Sequence, residues 1–207
     1  MRKFNIIVGF YEINRKFERY LKMKDFNRTN LSFSLCGLNC GLCSMYLDGY
    51  CPGCGGGVGN QSCAIAKCSL QHGKVEFCFL CPEYPCWRYK DIEEYDSFIT
   101  HQRQLKDTIK AQEMGIESYC EEQRKKVKIL KMLLSDYNDG RRKTFYCVAI
   151  NLLPLKDIEN VMKHVAENTL FNNLTTKKKA EKIVSLFQDI AVQQGLILKL
   201  RKKSVKK

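Results

Sequence analysis

The stretch Cys36-Gly-Leu-Asn-Cys40-Gly-Leu-Cys43-Ser-Met-Tyr46, running on to Cys51-Pro-Gly-Cys54-Gly-Gly-Gly57, places five cysteines within 19 residues. Five more follow at Cys63, Cys68, Cys78, Cys81 and Cys86, so ten of the chain's twelve cysteines fall between positions 36 and 86. Their spacings are C-x3-C-x2-C, C-x2-C, C-x4-C and C-x2-C, with Cys86 after Pro85. A two-residue gap lets two sulfurs from one tight turn reach the same tetrahedral ion, at about 2.3 Å for zinc. A glycine just beyond the second cysteine, as at Cys51-Pro-Gly-Cys54-Gly55, lets backbone N–H groups fold back toward the sulfurs and offset thiolate charge. Cys78-Phe-Leu-Cys81 is a second such knuckle, without the glycine.

Glycines and Pro52, Pro82 and Pro85 punctuate this region, which is poor in helical pattern and needs cross-links to hold a shape. Cysteine density permits a disulfide framework or a metal framework. The N-terminus, MRKFNIIVGFYEINRK, has too short an apolar run for a secretory signal and no small-residue cleavage site after it. No run of about 18 apolar residues predicts a membrane span. The reading is therefore a cytoplasmic chain whose clustered cysteines are ligands. Four sulfurs complete a structural zinc site, so ten supply two Zn2+ per chain with two left over. One division takes positions 36–54 for one ion and 63–86 for the other; interleaved sets fit the spacing equally. His72 is a further nitrogen donor, and as an isolated histidine beside Gly73 it is expected to face solvent. An iron–sulfur cluster on Cys36, Cys40, Cys43 and Cys51 is the alternative, since the first triplet has a cluster-binding spacing.

Downstream of Trp87 the texture turns helical. Five helices are predicted: Ile92 to Met114; Ile116 to Tyr137; Lys143 to Leu153, capped by Asp139; one begun by Pro154; and one capped by Thr175 or Thr176 and ending before Gly195. Residues 3–10 suggest a strand and 14–23 a helix. The fold class expected is a small cysteine-rich metal-binding module of irregular loops, fused to an all-α helical bundle. The divisions are an N-terminal arm at 1–30, the module at 31–90 and the bundle at 91–207. Cys147 is expected in the core. His101 and His164 are expected as surface or half-buried helical residues.

The cysteine motif resembles the cysteine-rich proteins grouped as domain of unknown function 3795, over roughly residues 33 to 92. The resemblance rests on C-G-L-N-C-G-L-C-S-M-Y from Cys36, then Cys51-Pro-Gly-Cys54, Cys63-x4-Cys68, Cys78-x2-Cys81 and Tyr84-Pro85-Cys86. It implies zinc ligation by all ten cysteines and implies no reaction.

The net charge is +13, with a nearly neutral cysteine region and a basic C-terminus ending Lys199-Leu-Arg201-Lys202-Lys203-Ser-Val-Lys206-Lys207. That balance favours acidic partners, either acidic proteins or nucleic acid, without defining a surface. Trp87-Arg88-Tyr89-Lys90 can stack on bases or pack the module against the first helix, and packing is the expectation. No H-E-x-x-H, P-loop or dinucleotide-binding pattern is present. The function expected is a zinc-binding protein with structural sites, serving as a binding or regulatory module. A metal-dependent or thiol redox enzyme is the alternative.

Overall fold

The run Tyr146-Cys-Val-Ala-Ile-Asn-Leu152 carries apolar residues on every side, which marks that part of its helix for burial all round. A computed structural model describes residues 26–57 and 63–203. The strand and helix expected within 3–23 lie outside the described residues. Among the described residues the secondary structure is helical, with no strand. The helices are α1 (Ser44–Leu47), α2 (Ala64–Gln71), α3 (Gln104–Met114), α4 (Ile116–Asp136), α5 (Lys143–Leu152), α6 (Leu155–Glu167), α7 (Thr169–Asn172) and α8 (Thr176–Gln193).

Every residue of α5 from Tyr146 to Leu152 is buried. Around it pack Leu130 and Leu133 of α4, Ile158, Val161 and Val165 of α6, and Ile183, Phe187 and Ala191 of α8. The faces read from periodicity on α6 and α8 are the faces the structure buries. Thr175 caps α8 as expected, its hydroxyl accepting from the Lys178 N–H at 3.4 Å. Pro154 stands immediately before α6.

Three expectations need correction. The first predicted helix begins at Gln104, not Ile92. The Asp96 carboxylate takes the N–H groups of His101 at 2.7 Å and Arg201 at 2.6 Å, and His101 Nδ1 donates to the Ile92 carbonyl at 3.1 Å. Side-chain bonds of this kind hold the backbone in a loop where helix bonds would otherwise form. His101 therefore lies in that loop, whereas His164 is exposed on α6. The second correction concerns Asp139, which does not cap α5. Its carboxylate accepts from Arg141 N–H at 3.0 Å, while Asn138 accepts from the N–H groups of Gly140 and Arg142, and the helix starts one residue later without a side-chain cap. The third is α2, inside a region read as poor in helical pattern. Ala64-Ile-Ala-Lys are good helix formers, and Gly73 at φ +77° gives the chain a left-handed exit beyond His72.

The cysteine region is seated in the helices. Leu42 is buried in the α4–α5–α6–α8 core. Phe33 and Phe77 pack with Ala111 of α3 and Tyr119 and Cys120 of α4. Beneath the Cys40 turn lies a buried polar seam: Tyr119 donates to Asn39 Oδ1 at 3.0 Å, and Asn39 Nδ2 donates to Asp107 at 2.9 Å. Lys126 donates to the carbonyl of Leu153 at 2.8 Å, filling the open C-terminal end of α5. Burial disfavours its charge and pushes its pKa down to about 8, although nearby Asp107 works the other way.

Candidate metal centre

Two of the C-x2-C segments fold into the same local shape. Cys40–Leu42 and Cys78–Leu80 are both 3-10 turns, closed by the N–H of Cys43 on the Cys40 carbonyl at 3.0 Å and of Cys81 on Cys78 at 2.9 Å. Both second cysteines leave the turn extended, at φ −88°, ψ 134° for Cys43 and φ −80°, ψ 134° for Cys81. The first of these turns was read from sequence only as part of a triplet. Cys51-Pro-Gly-Cys54 is brought back beside the first turn by α1, with the Cys51 N–H on the Met45 carbonyl at 3.0 Å. Close approach decides the residue after this knuckle: a Cβ on Gly55 would meet three atoms of Arg28 at 2.8 to 2.9 Å.

Arg28 is a site residue the sequence did not reveal. Its guanidinium donates to the carbonyls of Glu76 at 2.9 Å, Phe33 at 3.1 Å and Cys54 at 3.3 Å, and lies over the Phe77 ring at 5.0 Å. No periodicity or motif flags an arginine that works across the chain fold. Burial raises the Cys54 thiol pKa, and the Arg28 charge and the Leu35 N–H work against that rise. Burial also pushes Cys36 up to about 12 and Cys78 up to about 11, and raises Cys40. Neighbouring sulfurs add to each rise: Cys54, Cys63 and Cys78 around Cys36; Cys54, Cys36, Cys43 and Cys51 around Cys40; Cys86, Cys68 and Cys81 around Cys78. The predicted ligands are thus neighbours in space. These four raised thiols are neutral near pH 7, the wrong state for attack as nucleophiles.

All twelve cysteines are free thiols in the structure. Among the described residues, no group of three or more His, Cys, Asp or Glu side chains closes to ion-holding geometry as the thiols stand. Donor chemistry nonetheless suits a soft or borderline ion: reduced sulfurs, with an N–H and a guanidinium set to stabilise thiolate charge.

A cavity of about 20 Å³ opens among Cys68, Cys78, Cys81 and Cys86, with His72 and Tyr89 also on its wall. The buried Tyr89 hydroxyl lies against Cys78, and the Tyr84 ring meets Tyr89 edge-on at 5.0 Å. His72 is engaged at both nitrogens, Nδ1 with the Cys68 carbonyl at 2.9 Å and Nε2 with Glu83 at 3.1 Å. The two remaining cysteines are elsewhere. Cys147 is buried in the main core as expected, while Cys120 is buried with Phe33 and accepts from Asn30 Nδ2 at 3.0 Å.

Trp87 does not pack the region onto a helix. It is 76% exposed, with the Arg88 guanidinium stacked 4.4 Å from its ring centroid. Of that tetrapeptide Tyr89 is buried and Arg88 half-buried, both on the wall of the cavity. In the basic run Arg141-Arg142-Lys143, Arg142 is paired with Asp139 and Lys143 with Asp48, so much of its charge is matched within the chain. Among the described residues no helix is long and apolar enough to cross a membrane. Comparison of the chain with protein-family models, with curated proteins and with solved structures finds no match in any of the three.

Proposed function

We propose that this chain is a zinc-binding protein of the reducing cytoplasm, with two Cys-ligated ions that organise the region from Cys36 to Cys86. The observation that carries the reading is the gathering of ten reduced thiols on short turns, with Arg28 and the Leu35 N–H directed at Cys54. A protein core does not need so many half-buried thiols, whereas a loop region short of apolar mass needs cross-links. Ligands would come from Cys36, Cys40, Cys43, Cys51, Cys54, Cys63, Cys68, Cys78, Cys81 and Cys86. Each bound ion would displace thiol protons and supply the final convergence of the sulfurs, so binding and ordering are coupled. The likeness of the cysteine motif to domain of unknown function 3795 supports the same reading.

Its role in this account is structural, and the exposed surface it supports serves to bind another molecule. The excess of cations favours an acidic protein or a nucleic acid as that partner. Salt decides this point: binding to a nucleic acid should weaken steeply as salt rises, in proportion to the phosphates neutralised.

The test is elemental analysis of the full chain purified without oxygen, read with its visible spectrum. Two zinc per chain and no visible absorbance are expected, and chelation should disorder residues 36–86. Stoichiometric iron with sulfide would replace this reading with an iron–sulfur one, for which Cys36, Cys40, Cys43 and Cys51 are the candidate ligands. An unchanged fold after complete metal removal would end the structural-ion account.

A further inference from the structure

We infer that Tyr89 is a positioning residue for Cys78: its buried hydroxyl donates a hydrogen bond to the Cys78 sulfur once that sulfur is a metal ligand and carries charge. This rests on the zinc reading and deepens it, without depending on which other cysteines share the ion.

A buried hydroxyl ordinarily has a partner, and one without needs a physical reason. Tyr89 is 6% exposed, and its hydroxyl meets no hydrogen-bond partner among the described residues. The ring is held in place. Tyr84 meets it edge-on at 5.0 Å, and the Tyr89 N–H closes a 3-10 turn on the Cys86 carbonyl at 2.9 Å. The same closure, from residue i to i+3, forms between Cys40 and Cys43 and between Cys78 and Cys81. In Cys86-Trp-Arg-Tyr89 a phenol therefore occupies the turn position that carries the second sulfur in the other two.

The cavity wall limits what this hydroxyl can serve. Ser69 Oγ donates to the Val75 carbonyl at 2.9 Å, both His72 nitrogens are engaged, and the Tyr84 hydroxyl lies against Thr108. Arg88 offers only donors, and its Nε is likewise buried without a partner. The acceptors left among the lining side chains are the sulfurs of Cys68, Cys78, Cys81 and Cys86, and the hydroxyl lies against Cys78. A neutral thiol is a weak acceptor, which fits a bond left unmade while Cys78 keeps its proton. Ligation sends that proton to solvent and leaves a thiolate, to which a hydrogen bond is about twice as strong. The Tyr89 O–H then offsets charge on the sulfur and fixes its direction, as partners behind a metal ligand do.

Tyr89→Phe keeps the ring and removes the hydroxyl alone, and the test compares it with wild type as the full chain. With cobalt(II) in place of zinc, the sulfur-to-cobalt charge-transfer band should move to longer wavelength in the variant, because a sulfur without its donor gives up electron density more easily. Zinc affinity, measured by competition with a chromophoric chelator, should fall about tenfold. Tyr146→Phe is the control: that hydroxyl donates to the Tyr137 carbonyl at 2.8 Å in the helical core, so its loss should lower stability and leave the cobalt band in place. An unshifted band in cobalt-loaded Tyr89→Phe overturns the role given to Tyr89 while leaving the zinc reading standing. An equal shift in Tyr146→Phe would trace the effect to general loosening and overturn it as well. A wild-type chain that takes up neither zinc nor cobalt sinks both readings.

Discussion

Replacing Asn39 by alanine should cost the folded protein about 3 to 4 kcal/mol, because two buried groups lose their partner at once. Asn39 is 3% exposed and joins the Tyr119 hydroxyl, at 3.0 Å, to the Asp107 carboxylate, at 2.9 Å. Stranding a buried donor or acceptor costs about 1 to 3 kcal/mol, toward the upper end beside a charge. Asp107 keeps the 3.4 Å bond from Arg103, and the Tyr119 hydroxyl loses the acceptor it donates to. The assay is urea unfolding of the metal-loaded full chain at fixed zinc, followed by circular dichroism. Tyr119→Phe completes the cycle. It removes the very hydroxyl that Asn39→Ala strands, so the double variant should lose about 1 to 2 kcal/mol less than the two singles added together. Such coupling would show that the Cys40 turn and α4 share one bonded seam. A loss below about 0.5 kcal/mol for Asn39→Ala, or strict additivity in the cycle, would refute that account.

Leu42→Ala should destabilise by about 2 to 5 kcal/mol in the same assay, because Leu42 is 1% exposed inside the helical core, whereas Leu80→Ala on an exposed loop should stay within about 0.5 kcal/mol. Gly37→Ala should lower the melting temperature sharply or abolish soluble expression: a Cβ there would lie 1.9 Å from Thr108 Oγ1 and 2.8 Å from the Gln104 carbonyl, at φ +95°. Gly73→Ala, at φ +77° with open space around it, should cost only about 1 kcal/mol, and equal losses at the two glycines would contradict the packing argument. Lys126 has a folded pKa near 8 against 10.5 for an ordinary lysine. Between those values the unfolded chain holds a proton the folded chain has released, so unfolding free energy should rise with pH through that window and level off outside it, by at most about 3 kcal/mol. Lys126→Met should remove that rise; an identical slope in both proteins would show that Lys126 is not its source.

Helix faces and their local stops were legible in the residues themselves. Ile158, Val161 and Val165 recur at helical spacing, as do Ala180, Ile183 and Phe187, and both sets are buried. Pro154, Thr175 and Gly195 act within a turn of their own position, which is why they could be read one residue at a time. Periodicity failed at 92–103 because Asp96 bonds the backbone of residue 201 across the fold, a contact that no window of neighbouring residues contains. It failed at α2 because only Ala66 and Ser69 of that short helix are buried, too few to make an apolar stripe.

For the cysteines, sequence alone revealed the clustering and the short bends that present sulfurs in pairs. Those bends depend on two or three intervening residues, and local sterics suffice to form them. Tertiary structure decided which pair stands beside which. Arg28 reaches Cys54 across 26 positions, Asn39 meets Asp107 across 68 and Tyr119 meets Asn39 across 80. Contacts at such separations exist only after the helices have packed and brought distant segments together. Burial of the cysteine region on α3, α4 and α5 therefore governs the charge and company of each thiol, and spacing along the chain does not.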